Sequence, residues 1–491
     1  MEAEAPRRAS TRAEAAGEAA RRYGRTATLL SVAVGITGFI IYLYFALASH
    51  TLTRTEYGDI TTLWLVVYVT VATLYRPVEQ LLSRTIAERH AREGFRGRPL
   101  KVAAIIQAAI AVTVTGACLA LRGPLEDELL SGDATLYWIL VVAVLAYAGN
   151  FFARGFFAGH RRFGLYSMVL LSDATARIVF PLAVAVGIAT GQIAIALGIV
   201  AGPLVSLAVT PVIVPIVLRG RAERIEAERA SQPTPGEIRG QAAQADAGPG
   251  RAGTANVPEF TLAHGGGFAA AVLLIVFSEQ VFLSSGALVI RVVEGAAATG
   301  FIFNVLMLAR APIYLFQAVA TSLLPHLTRL RYRPGMGGED GFRLSVNITL
   351  GAVLGFAVLV AAVVLVAGPD LMQIAFGKKF SYDRAGLLIV TAGMGLYLAA
   401  ATLNQAALAQ GQARRAAICW IGCAVAYVAW NLSPVLDEFR RVEVGFAIAA
   451  AVLCGLLYLL YRRPHPRPED AVRPDSPQEL EVRLASADES G

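Results

Sequence analysis

Three arginines and three acids stand inside long apolar stretches of the sequence, and these side chains have chemistry to offer: Arg76 with Glu79, Asp173 with Arg177, Glu279, and Arg310. Gln80, Gln280, Asn304, Asn404 and Gln405 are their uncharged companions. A charge held in hydrocarbon costs at least a few kcal/mol, so each must face a protein interior or a wet cavity. A guanidinium suits an anionic ligand, because its planar fork donates two hydrogen bonds to oxygen anions and stays charged when buried. The competing reading is local pairing. Asp173 and Arg177 are four apart and Arg76 and Glu79 three apart, so each couple shares a helix face. Arg310 has no acid within one helical turn of sequence, which leaves Glu279 or a ligand as its partner.

Positioning these residues falls to the apolar stretches themselves. Of 491 residues 56% are apolar and 16% charged, with a mean hydropathy of +0.56, well below the charge content of a soluble domain. About 20 residues carry a helix across the bilayer. Twelve runs qualify: 27–49, 59–82, 101–121, 134–153, 165–187, 193–218, 267–290, 296–324, 344–367, 385–409, 416–432 and 443–461. The expected fold is therefore all-α, a polytopic integral membrane protein of 12 transmembrane helices in two six-helix lobes. Transmembrane β-strands would be shorter and alternating.

The basic residues orient these spans, since Lys and Arg gather in cytoplasmic loops. With the N-terminus inside, cytoplasmic segments hold 33 of the 43 basic residues, counting Arg76 at the border. The outer loops hold eight: Arg54, Arg122, Arg291, Lys378, Lys379, Arg384, Arg440 and Arg441. Charge strung along membrane borders without forming one patch argues against nucleic acid as a partner. On this scheme Arg177 and Glu279 lie near the midplane, and Arg76 and Arg310 roughly 20 Å from the outer end of their helices. Arg21, Arg22 and Arg25 before the first run mimic a signal peptide, but the run is long enough to remain as an uncleaved helix.

The chain divides into a cytoplasmic tail (1–26), an N-lobe (27–218), a polar linker (219–266), a C-lobe (267–461) and a second cytoplasmic tail (462–491). The linker carries six arginines and six acids with Pro233, Pro235 and Pro249, a composition that buries no core; Arg219–Ala230 is expected to prolong the sixth span. An even number of spans per lobe makes the lobes parallel repeats with a cavity between them. Arg76-Pro77 and Arg310-Ala311-Pro312 occupy the second span of each.

No phosphate-binding loop, catalytic triad, zinc motif or haem pattern occurs. The expectation is a chain that is not an enzyme, with no cofactor and no metal. Cys118, Cys419, Cys423 and Cys454 all lie in apolar runs and behave as small hydrophobes. With only three lysines, the composition reads as GC-rich bacterial coding.

The order of pieces resembles the polysaccharide branch of the multidrug, oligosaccharidyl-lipid and polysaccharide exporter superfamily, over roughly residues 20–462. The likeness rests on Glu56-Tyr57-Gly58 after the first span, on Arg154-Gly155 through Gly159-His160-Arg161-Arg162-Phe163-Gly164-Leu165-Tyr166 between the fourth and fifth, and on Phe376-Gly377-Lys378-Lys379-Phe380 after the ninth. The long linker and polar tails depart from the compact family pattern. The resemblance implies a flippase of the bacterial plasma membrane. It would move a polyprenyl-diphosphate-linked oligosaccharide or polysaccharide precursor to the outer leaflet by alternating access, with both termini cytoplasmic. It implies that Arg76, Arg310 and, third, Arg177 engage the diphosphate. Glu79, Asp173 and Glu279 would then carry proton or sodium coupling or neutralise the arginines. Implied partners are the lipid-linked glycan, membrane lipids, and polysaccharide-assembly proteins reached through linker and tails. The alternatives are a cation-coupled drug exporter of the multidrug and toxin extrusion branch and a membrane scaffold for cell-wall assembly. A membrane glycosyltransferase is disfavoured, because no large outer loop holds an acid pair.

Overall fold

The computed structural model describes residues 29–91, 99–230, 262–310 and 338–462. These residues form helices without strands: α1 (Leu29–Thr51), α2 (Arg54–Leu74), α3 (Arg76–Ala91), α4 (Pro99–Ala120), α5 (Ala134–Gly159), α6 (Phe163–Ala185), α7 (Gly191–Ala230), α8 (Leu262–Glu294), α9 (Ala296–Arg310), α10 (Gly338–Phe376), α11 (Arg384–Ala409), α12 (Ala413–Asn431) and α13 (Glu438–Arg462). A π-helical turn at Pro124–Leu129 and a 3-10 turn at Lys378–Phe380 join them.

Ten helical segments among the described residues have the length and apolarity to cross a membrane, α2 and α3 counting as one. Of the other two expected spans, the eighth is described only to Arg310, and the eleventh is a 19-residue helix opened by Arg414 and Arg415. The second span is broken at Tyr75, because Pro77 supplies no amide hydrogen and its ring crowds the carbonyl four residues earlier. The part of the linker at 219–230 continues α7 as helix. Residues 231–261, like both tails, lie outside the described residues.

Packing sorts the helices into a first set, α2 to α7, and a second, α8 to α13, with α2 against α8 as the main crossing contact among the described residues. The sets repeat each other most clearly at α5 and α11. Each is 26 residues long and opens on an aspartate, Asp133 or Asp383, whose carboxylate accepts backbone amides of the first turn. Each closes in a three-residue turn whose middle residue is left-handed, Arg161 (φ 55°) or Gly411 (φ 77°). The turn hydrogen bonds correspond one for one: His160, Arg161 and Arg162 donate to Phe156, Ala158 and Phe157, as Gln410, Gly411 and Gln412 donate to Ala406, Leu408 and Ala407. Burial repeats too. The apolar stretches of α5 and α11 are 67% and 72% buried, those of the helices before them, α4 and α10, 17% and 11%, so each set has a central and a rim helix.

The bundle has two ends, marked here by Thr53, between α1 and α2, and by Arg161, between α5 and α6. Near the Thr53 end, residues 57–65 of α2 are buried, whereas Arg76, Gln80 and Leu81 toward the other end are exposed. α2 is thus enclosed near Thr53, while α3 presents Arg76, Gln80 and Leu81 at its surface.

Candidate functional site

Local sequence sets where the charges fall. The break at Tyr75 restarts the helix at Arg76, leaving its guanidinium exposed while Glu79, one turn on, is buried against α5. That approach needs Gly155: a Cβ there would sit 2.8 Å from the carbonyl oxygen of Glu79. Gly159, one turn along, admits Ile86 and Ser83 of α3 in the same way. Two small residues four apart let the backbones meet.

Glu79 finds its partners on other helices. Tyr166 of α6 donates to its Oε1 (2.9 Å), Arg154 Nη2 of α5 donates to the Tyr166 hydroxyl (2.9 Å), and Arg154 Nε stands 3.6 Å from Glu79. The Arg154 guanidinium also lies over the Phe151 ring at 4.4 Å. The expected local couple of Arg76 with Glu79 gives way to this arrangement, in which Glu79 is buried where α3 meets α5 and Arg76 stays exposed. Asp173 and Arg177 do pair, at 2.9 Å. Arg177 donates to Tyr147 as well and lies 4.6 Å over the Trp64 ring. At 2% exposure it is sealed inside the first set.

Arg76, Glu279 and Arg310 behave differently, for they converge between the sets. Arg76 is near enough for its charge to act on Glu279 of α8. Tyr397 of the central helix α11 stands within electrostatic reach of Glu279, Arg310, Tyr68 and Arg76. Protein surrounds Glu279, yet its side chain is only half-buried and Arg76 is exposed. Ionised groups accessible in the middle of apolar helices line a wet space, since lipid would not hold them.

Several residues of consequence escape a reading by hydropathy. Arg291, counted with the outer loops, is 3% exposed and pairs at 2.9 Å with Asp59 of α2, itself 3% exposed. Arg441, counted there too, is buried and donates to the Ser433 carbonyl at 2.7 Å. Arg154 was visible only as part of a motif. The signal for Asp59 was an acid at the edge of an apolar run, which sequence alone cannot tell from a solvated one. Among the described residues no group of His, Cys, Asp and Glu is placed to hold a metal ion.

No protein-family model matches the sequence, and no curated protein matches it. Solved structures do match. A multidrug resistance MATE family transporter of the MOP superfamily in an inward-facing conformation superposes with a TM-score of 0.61 at 13% identity, covering 88% of this chain and 97% of that one. A MATE family transporter in an outward-facing conformation gives 0.53 at 15% identity, covering 89% and 94%. A MOP superfamily transporter from Pyrococcus furiosus, whose structure is described as having a binding pocket of reverse polarity, gives 0.55 at 14% identity, also covering 89% and 94%. This chain thus has the polytopic, all-helical fold seen in MOP superfamily transporters. Its likeness to solved members is one of fold.

Proposed function

We propose that the protein is a secondary transporter that moves an anionic lipid-linked substrate, a polyprenyl-diphosphate-linked glycan, from the cytoplasmic to the outer leaflet of a bacterial plasma membrane by alternating access. The observation that carries the proposal is that Arg76 and Arg310, one from each half, both stand within electrostatic reach of Tyr397, with Arg76 exposed and acting on the half-buried Glu279. A diphosphate offers oxygen anions to both guanidinium forks. Arg177, sealed against Asp173 and Tyr147, fits a supporting role better than direct contact. The arginine-rich side of the chain orients the Arg161 end toward the cytoplasm and the Thr53 end outward.

The test is flipping of a fluorescent polyprenyl-diphosphate glycan in proteoliposomes. Arg76→Ala and Arg310→Ala are each expected to slow it at least about tenfold, the scale of a hydrogen bond to a charged group. Unchanged flipping in the double variant would end the assignment. A second reading, export of organic cations, draws support from Glu279 beside Tyr397 and Tyr68, an acid with aromatic neighbours. Efflux of a cationic dye that Glu279→Gln abolishes and Arg76→Ala spares would establish that reading instead.

A further inference from the structure

The motifs Glu56-Tyr57-Gly58 and Phe376-Gly377-Lys378-Lys379-Phe380 lie far from the charged interior. The structure brings them together at the Thr53 end. The Tyr57 and Phe380 rings meet at 5.0 Å, the Tyr57 hydroxyl donates to Asn304, and the Lys379 ammonium donates to the Leu52 carbonyl. A Cβ on Gly58 would collide with the Ala296 backbone, so α2 and α9 touch there main chain to main chain. Every one of these contacts crosses from the N-terminal half of the chain to the C-terminal half.

At the centre of this seam is a charge cluster. Asp59 Oδ1 of α2 meets Arg291 Nη2 of α8 at 2.9 Å. Ser131 Oγ donates to the same Asp59 oxygen at 2.8 Å and accepts from Arg291 at 2.9 Å. Ser131 does so from a left-handed conformation (φ 57°), which a residue with a side chain holds at a cost. Backbone strain of this kind is tolerated where it places a working group. Gly132 beside it is left-handed too, at φ 76°. The link between the π-helical turn and α5 thus presents one hydroxyl to a salt bridge that joins α2 to α8.

A stability role alone accounts poorly for this cluster. A buried ion pair repays its desolvation only with good geometry, and an apolar contact of equal volume would serve as well or better. What a charge pair adds is that it can part: once separated into water, each ion is rehydrated and the open state is tolerable, whereas parted apolar faces are not.

We infer that Asp59, Ser131 and Arg291 form a latch that shuts the Thr53 end of the transport path and must open in each cycle, so that the two motifs serve the gate and leave the cargo to Arg76 and Arg310. The inference rests on the alternating-access reading above, but its first test, by labelling, is independent of any cargo. In a background with Cys118, Cys419, Cys423 and Cys454 replaced by Ala, Thr299→Cys supplies a reporter just behind the seam, since Thr299 is fully buried on α9 between the two contacts at Ala296 and Gly300. A membrane-impermeant maleimide applied to intact cells should label it slowly. Asp59→Asn or Arg291→Gln should raise the labelling rate at least about tenfold, since removing one member of a buried pair strands the other. The exchange Asp59→Arg with Arg291→Asp should return it toward the starting rate. Equal slow labelling in all variants would overturn the latch. Should the single variants fail to reach the membrane, Asp59→Cys with Arg291→Cys, joined by a bifunctional thiol reagent, decides the matter: flipping must stop when the two are bridged and resume on reduction, and flipping that persists while bridged would overturn it. Loss of flipping with normal labelling would count against the cargo and leave the latch standing.

Discussion

Arg177 and Arg154 are each held by an acid, a tyrosine and an aromatic face, whereas Arg76 stands exposed within reach of Glu279. Satisfied arginines make structure and accessible ones are left to bind, and the difference can be measured. Arg154→Met leaves Glu79 buried without its cation and should destabilise the protein by about 3–5 kcal/mol, while the double variant with Glu79→Gln should recover much of that loss. Thermal unfolding in detergent, run as a double-mutant cycle, checks both. At the surface, burial pushes the Asp383 carboxyl upward, but hydrogen bonds from Arg440 and from the Gly386 amide outweigh it, holding the group below the usual carboxylate value. A lowered folded pKa means that the stabilisation is fully present above the unfolded value of about 3.9 and disappears as the pH falls through the folded one. The shift is small because the side chain is half-exposed and solvent screens it. Asp383→Asn should therefore flatten the acid limb of a stability-against-pH curve measured below pH 5. The Asp173 and Arg177 couple was legible, since four residues on a helix is one turn. Glu79 with Arg154 was not, because their meeting depends on how α3 crosses α5.

Turns and crossings carry the next level. Arg161 occupies a left-handed position that Gly411 fills in the matching turn, and a side chain there costs about 1–2 kcal/mol. Arg161→Gly should stabilise the protein by about 1 kcal/mol and Gly411→Ala should destabilise it by a similar amount, seen as opposite shifts in Tm. Gly155→Val should cost more than either, because its side chain would be driven into the Glu79 backbone, and overpacking of this kind costs about 1–3 kcal/mol. The spans themselves were read well from the sequence, most starting and ending within a few residues of their helices, because a long apolar run in a bilayer has helix as its open-ended solution. The break at Tyr75 and the left-handed arginine were less visible. Proline is common inside membrane helices, and φ is not written in a residue's name when that residue is arginine.

At the scale of the molecule, the two sets of helices meet near Thr53. On the proposed alternating-access reading, the Arg161 end closes when cargo binds. Spin labels at Arg161 and Gly411, exposed turns of the two sets, should move closer in pulsed electron resonance when the lipid-linked glycan is added, and should keep their spacing in the Arg76→Ala with Arg310→Ala variant. The division into halves showed in the sequence as a polar interruption, but the pair of second spans compared there matched only loosely, whereas α5 and α11 agree in cap, length, turn and depth of burial. Their shared features are backbone geometry, which side-chain comparison hardly registers. That agreement bears on descent. Helices that correspond in the same direction along the chain are what tandem duplication of a half-length gene leaves behind. The ancestral half would have inserted into its membrane in a single orientation and worked beside a second copy of itself. Fusion would free the copies to diverge, and the left-handed turn shows them unlike: one half has the glycine that the geometry prefers, and the other bears the strain of an arginine.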